Sequence, residues 1–405
     1  MTKKAIQSNV ELLIKYVMEM EMERLIYMDN AATTKLSKAA LDAIAPYLAD
    51  EYGNPSSIYS VGSRAKQALE NARATVAKAI GAAPEEIFFT GGGTESDNWA
   101  IKSAAQLKKN AGKHIISTAI EHPAVLRTLE YLEKNGYEVT YLGVDECGRI
   151  SLDELRSSIR GDTILITVMT ANNEIGTILP IAEIAAIAHE HGALFHTDAV
   201  QAVGHIPVDV GELGVDLLSL SGHKFGGMKG VGVLYAKKGT RLPPLLHGGG
   251  QENGGRSGTE NVAGIVTLAA ALDDAVSHLP LIKVSRMRDR LIEELLKIPR
   301  SRLTGDPVNR LPGSASFVFE CIEGESILLM LDQQGICASS GSACSSGSLD
   351  PSHVLLATGL SHEIAHGSLR LSLGENNTDD DIDYVLEKLP GIVAKLREMS
   401  PLWNA

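Results

Sequence analysis

The sequence predicts an α/β protein: a largely parallel sheet with helices on both faces, followed by a second, smaller domain. Three observations carry this. The 405 residues are more than one core ordinarily organises, so two domains are expected. From about residue 62 the hydrophobic period switches repeatedly between helix and strand. Short apolar runs have helices between them, notably 181–191, which is the pattern of strand–helix–strand units.

Taken in order, residues 1–24 space Leu, Ile, Val and Met along a helical pattern and lack a small-residue cleavage site, so no signal peptide is expected. Met20, Met22 and Met28 precede the first clear motif, so part of this extension could be an added or misassigned start. Residues 64–80 place Ala65, Leu69, Ala72, Val76 and Ile80 on one helical face, with Gly81 as its stop. Strands are expected at 86–90, 114–118, 163–169, 193–197, 216–220 and 231–236. The glycine-rich segment 247–258 breaks the pattern. A long helical stretch then runs to about 298, and a second region from about 300 has strands near 315–319 and 369–373.

Composition bounds the function. With 44% hydrophobic and 21% charged residues the chain is an ordinary globular one. A net charge of −13 argues against nucleic acid or an anionic membrane as principal partner. No apolar run approaches the roughly 18 residues of a spanning helix. Four cysteines in so long a chain make no disulfide framework, and no C-x-x-C pair points to zinc, so free thiols in a reducing cytoplasm are expected.

Ligands in open α/β sheets bind beyond the carboxyl ends of the strands, and five predicted strand ends carry polar clusters. They are Gly91-Gly92-Gly93-Thr94-Glu95-Ser96-Asp97, Glu121-His122-Pro123, Asn172-Asn173-Glu174, Asp198 with Gln201, and Ser221-Gly222-His223-Lys224. The glycine triplet precedes a helix that Thr94 could cap, with Asp97 in the third-position role. Its free N–H groups suit a phosphate; the plain alternative is a capped helix after a tight turn. Asp198 and Lys224 end consecutive strands and could face one ligand: a carboxylate keeps a pyridine nitrogen protonated, and a lysine holds an aldehyde cofactor. The plain alternative is a solvated Asp and a surface Lys. His122 could stack on a flat ring or move protons, or simply order its turn.

Two residues lie in the second region. Cys344 sits in a run of small residues, 338–348, where an exposed thiolate could reach other molecules, or where a thiol is incidental. Cys337 ends a more apolar stretch and is expected to be buried; Cys147 is incidental. Arg370, on a strand amid apolar neighbours, wants a carboxylate, either a substrate α-carboxylate or a structural partner.

These residues, with MDNAATT from Met28, TGGGTESDN, IEHPAV, NNEIG, HTDAVQ, SGHK, RSGTEN, SSGSACSSGS and GSLRLSLG, resemble the cysteine desulfurases over about 25–395. The segment around Cys344 is similar to the long-loop subgroup that serves iron–sulfur assembly, with its nitrogen-fixation branch. The resemblance implies a fold-type-I, aspartate aminotransferase-like transferase that uses pyridoxal 5'-phosphate (PLP). It implies a mostly parallel seven-stranded sheet in a large domain at 34–279, and a smaller α+β domain from 25–33 and 280–405. It further implies that Lys224 holds the cofactor, Asp198 pairs with its ring nitrogen and His122 stacks on the ring. Gly93, Thr94, Ser221 and His223 would bind the phosphate, and Asn173 and Gln201 would reach the ring oxygen. Thr259 would serve the phosphate of a neighbouring copy, which puts 247–258 in a homodimer interface. Arg370, helped by Asn173, would hold the α-carboxylate of L-cysteine.

Cys344 would take the sulfur as a persulfide, leaving L-alanine, and pass it to an iron–sulfur scaffold or another acceptor protein. There its persulfide could transiently ligate a nascent cluster. Met228 stands where many members of the family have proline. The competing readings are a selenocysteine lyase or aminotransferase of the same fold, separated by product analysis, and a non-catalytic PLP-fold binding protein, separated by absence of turnover.

Overall fold

The computed structural model describes residues 25–340 and 351–403. Cys344 and the extension 1–24 lie outside them.

Among the described residues, twelve strands form three sheets: β1 Ile26–Tyr27, β2 Ile87–Thr90, β3 His114–Thr118, β4 Glu138–Leu142, β5 Thr163–Thr167, β6 Leu194–Asp198, β7 Leu217–Ser221, β8 Gly232–Ala236, β9 Ser301–Leu303, β10 Ser314–Phe319, β11 Ile336–Cys337 and β12 Ser368–Ser372. The large sheet has seven strands in the order β2-β8-β7-β6-β5-β3-β4. β8 pairs antiparallel with both neighbours and the other pairings are parallel. β2 therefore points the same way as β3 to β7. All five polar strand ends fall on one edge, as expected of a doubly covered sheet.

Within the large sheet, β4 is the strand the hydrophobic pattern did not disclose; short β1, β9 and β11 outside it were not expected either. β4 is an edge strand whose Glu138 and Tyr141 are exposed, so it has no continuous apolar run.

Both faces of the sheet are covered. On one, helix Ser60–Ala79 contributes Leu69, Ala72 and Val76, helix Ile181–Glu190 contributes Ile184 and Ala188, and helix Val262–Ser277 contributes Ile265, Leu268 and Leu272. On the other, helices Gly93–Leu107 and Pro123–Glu133 bring Trp99, Ile101, Val125 and Leu129 against Ile115, Leu165 and Leu217. Gly81 ends the helical segment as expected: its φ is 71°, in the left-handed region, and a Cβ there would stand 2.2 Å from Asp209 Oδ2.

The long helical stretch expected up to about 298 consists of two helices, Val262–Ser277 and Ile282–Leu295, bent by 74°. Pro280 lies in the break, where its missing N–H and its ring prevent the helix from continuing.

A second core gathers Ile26, Met28, Met287, Leu291, Phe317, Phe319, Leu371, Ile382 and Val385. It lies between the antiparallel sheet β12-β10-β9, helix Ile282–Leu295 and helix Asp379–Met399. Met28 O accepts from Ser372 N at 2.7 Å and Asn30 N donates to Ser372 O at 3.1 Å, which straps the chain start onto β12. Residues 31–34 then cross to the large sheet, where Thr34 N donates to His223 O at 2.9 Å.

No single helix among the described residues is long and apolar enough to cross a membrane. Cys147, Cys321 and Cys337 are free thiols. Cys337 is only half-buried because short β11 lies at the edge of its small sheet.

Candidate active site

At the carboxyl edge of the large sheet lies a cavity of about 260 Å³. Its lining brings together Gly93, Thr94, His122, Asn173, Asp198, Gln201, Ser221, His223, Lys224 and Arg370, drawn from six separate stretches of chain. Thr259 is exposed and lies outside it.

The helix start does not follow the capping expected of Thr94. Gly92 is the N-cap, with φ 146° and ψ 179°, and no side chain caps the helix. Thr94 is instead exposed in the first turn, and Asp97 is buried. A Cβ on Gly93 would stand 2.6 Å from Val200 Cγ2, and a Cβ on Gly232 would stand 2.6 Å from Gly92 Cα. The glycines thus allow three backbone segments to approach closely. Uncapped first-turn N–H groups beside Ser221 form an anion cradle.

Asp198 ends β6, 6% exposed, and accepts Val200 N–H at 2.9 Å. Burial raises its pKa, while His122 and Lys224 oppose that rise. Lys224 follows β7 in a short turn, and its Nζ donates to Ala31 O at 2.6 Å and Ala32 O at 2.9 Å. The amine is thus held beside the cavity wall.

His122 caps helix Pro123–Glu133, its Nδ1 accepting Ala124 N–H at 3.1 Å, which leaves the proton of the neutral ring on Nε2. Burial lowers its pKa. His223, pushed down to about 4 chiefly by burial and then by Lys224, has Nδ1 at 3.1 Å from Thr33 Oγ1. Gln201 Nε2 donates to Ala31 O at 2.9 Å.

Arg370 is 2% exposed. One terminal nitrogen donates to Asp29 Oδ1 at 2.8 Å and the other to Asn173 O at 3.0 Å. Its Nε has no hydrogen-bond partner among the described residues. The structural ion pair with Asp29 is therefore present, and the Nε–H is left without a partner among the described residues.

The sequence did not disclose the part several groups play. Asp97 was read as a helix-start residue but lines the cavity. Ala31 and Ala32 act through their carbonyls, which no side-chain pattern announces. Glu174 is buried, pushed up to about 7, and accepts the Ser352 hydroxyl. His353 Nε2 lies 3.0 Å from Glu121 O, so the chain just beyond the Cys344 segment is tied to the site's edge.

An amine, a buried carboxylate and an anion cradle around one cavity, on this sheet, define a PLP enzyme of aminotransferase-like architecture. Residues 26–385 match the family described as aminotransferase class-V. The cysteine desulfurase IscS of Methanosarcina thermophila is 58% identical over 379 residues, covering 93% of this chain and 94% of that one. A solved NifS-like protein superposes with a TM-score of 0.87 at 39% identity, covering 92% of this chain and 100% of its own. A structure titled SspA in complex with cysteine gives 0.77 at 38% identity, covering 86% and 98%. The chain belongs to the aminotransferase class-V family and, within it, to the cysteine desulfurases, which depend on PLP.

Proposed function

We propose that this chain takes sulfur from L-cysteine onto Cys344, releasing L-alanine, and hands the sulfur on to an iron–sulfur scaffold or another acceptor protein. The observation that carries the reading is that Lys224 and Asp198 line one cavity where an uncapped helix begins.

The residues present fit the cofactor. The cradle of Gly93, Thr94, Ser221 and His223 suits its phosphate, with Thr259 serving a neighbouring copy. Asp198 suits its ring nitrogen, His122 a ring face, and Asn173 and Gln201 its ring oxygen. When bound, PLP supplies an electron sink for charge developing at the substrate α-carbon.

The chain's own groups do the rest. Lys224 would hold the cofactor through its amine and would serve as the base that moves the substrate α-proton. Arg370 holds the α-carboxylate through the side of its guanidinium that Asp29 does not engage, helped by Asn173. Cys344, as thiolate, would attack the substrate sulfur and keep it as a persulfide as the substrate Cβ–S bond breaks, the electron pair and a proton going to the carbon that leaves as L-alanine.

A homodimer is part of this reading. Ile58 is 99% exposed, and Tyr52, Tyr59 and Leu246 are exposed large apolar side chains that such an interface would cover. Free thiols support a cytoplasmic setting.

The test is mass spectrometry after adding L-cysteine. One extra sulfur on Cys344 is expected, with alanine as co-product. A keto acid product, or a persulfide elsewhere, overturns the reading.

A further inference from the structure

Asp97 is an unexplained acid inside this site. It lies in the second turn of helix Gly93–Leu107, is 1% exposed and lines the cavity together with Asp198. Its Oδ1 has no hydrogen-bond partner among the described residues. Ligand atoms of Asp97, His122 and Asp198 all lie within 4.8 Å of one another. Two carboxylates that close, both buried, do not both stay ionised.

The surroundings decide which one keeps its charge. Asp198 accepts a backbone N–H and faces Lys224 and His122, all of which favour its anion. Glu121, the third buried carboxylate, accepts Met169 N–H at 3.0 and 3.1 Å and the Thr118 hydroxyl at 2.7 Å. Asp97 has only the Ser219 hydroxyl in its favour, while burial above all, and then the charge of Asp198, act against its anion.

Its nearest base gives no charge. His196 Nε2 stands 3.6 Å from Asp97 Oδ1. That ring is already placed between Thr167 Oγ1 at 2.8 Å and Ser219 Oγ at 3.0 Å, and burial takes its pKa down to about 3.

We propose that Asp97 is a permanently protonated acid, a positioning residue whose neutrality leaves Asp198 the single anion facing the cofactor's ring nitrogen. The proposal rests on Asp198 being that partner. One carboxylate against one protonated ring nitrogen balances charge in a buried site. A second anion would draw the proton onto Asp198 and release the ring nitrogen from its partner.

Infrared difference spectra of wild type minus Asp97→Asn, recorded on holoenzyme and on cofactor-free protein over roughly pH 6 to 9, test this. A carboxylic-acid carbonyl band that does not change across the range is expected, with the cofactor dissociation constant of Asp97→Asn within about threefold of wild type. Carboxylate bands in place of the acid band overturn the proposal. In Asp198→Asn, with the neighbouring anion gone, the acid band should give way to carboxylate at lower pH. An unchanged titration there overturns the proposal even if Asp97→Asn does not fold. If borohydride fixes no cofactor on Lys224, the functional reading fails, while the band in cofactor-free protein still decides the state of Asp97.

Discussion

A methyl group on Gly93 would collide with Val200 Cγ2 at 2.6 Å, next to the start of the anion cradle. Gly93→Ala should therefore push the helix start out of position and weaken cofactor binding at least about tenfold, a change of about 1.4 kcal/mol, measured by equilibrium dialysis. A binding constant equal to wild type would mean the cradle lies elsewhere. Lys224→Ala should lose all borohydride-stable cofactor and turnover, because no other lysine lines the cavity among the described residues. Cys344→Ala separates the two halves of the reaction. It should still bind cofactor and respond spectrally to L-cysteine yet form no persulfide; sulfide release at the normal rate would remove Cys344 from the acceptor role.

At the scale of elements, helix Gly93–Leu107 serves two neighbours at once. Its start faces the cavity, while Trp99, 1% exposed, donates from Nε1 to Pro243 O at 2.8 Å and packs edge-on to Phe88 at 5.6 Å. Gly255 passes so close that a Cβ there would stand 2.7 Å from the Trp99 ring. The glycine-rich segment is further clamped by Glu252, which takes Arg73 at 2.8 and 2.9 Å and Phe89 N–H at 2.9 Å. Trp99→Ala should cost about 3–5 kcal/mol in chemical denaturation and loosen the segment that carries Thr259. Dissociation of the proposed homodimer should rise with it, read by sedimentation. A loss below about 1 kcal/mol would show that the helix does not depend on this contact.

For the whole molecule, buried titratable groups set the pH range of stability. Glu121 is raised from 4.5 to about 8 and Glu174 from 4.5 to about 7, mainly by burial. Each favours the fold fully below its ordinary value and loses that contribution as pH rises through its folded value. His223, lowered from 6.5 to about 4, and His196, lowered from 6.5 to about 3, act oppositely: their contribution is complete above 6.5 and is lost as pH falls toward the folded values. Between 6.5 and about 8, of these four only the carboxylates still change. Tm should therefore fall across that interval, and Glu121→Gln should flatten the fall. An equal slope in the variant would show that Glu121 does not keep its proton.

The sequence by itself determined what local pattern can encode. Alternating periods disclosed six of the seven strands of the large sheet, and polar residues at five strand ends placed the site on one edge. Lys224, Asp198 and His122 stood out because their chemistry is written in their side chains. Only the tertiary structure decided what depends on neighbours distant in sequence. It showed edge strand β4, which lacks an apolar run, and the break at Pro280 within one hydrophobic stretch. It brought the Ala31 and Ala32 carbonyls to Lys224 across about 190 residues. It also turned Asp97 from a helix-start residue into a buried acid beside Asp198. Burial and charge coupling are properties of assembled surroundings, and no window of sequence contains them.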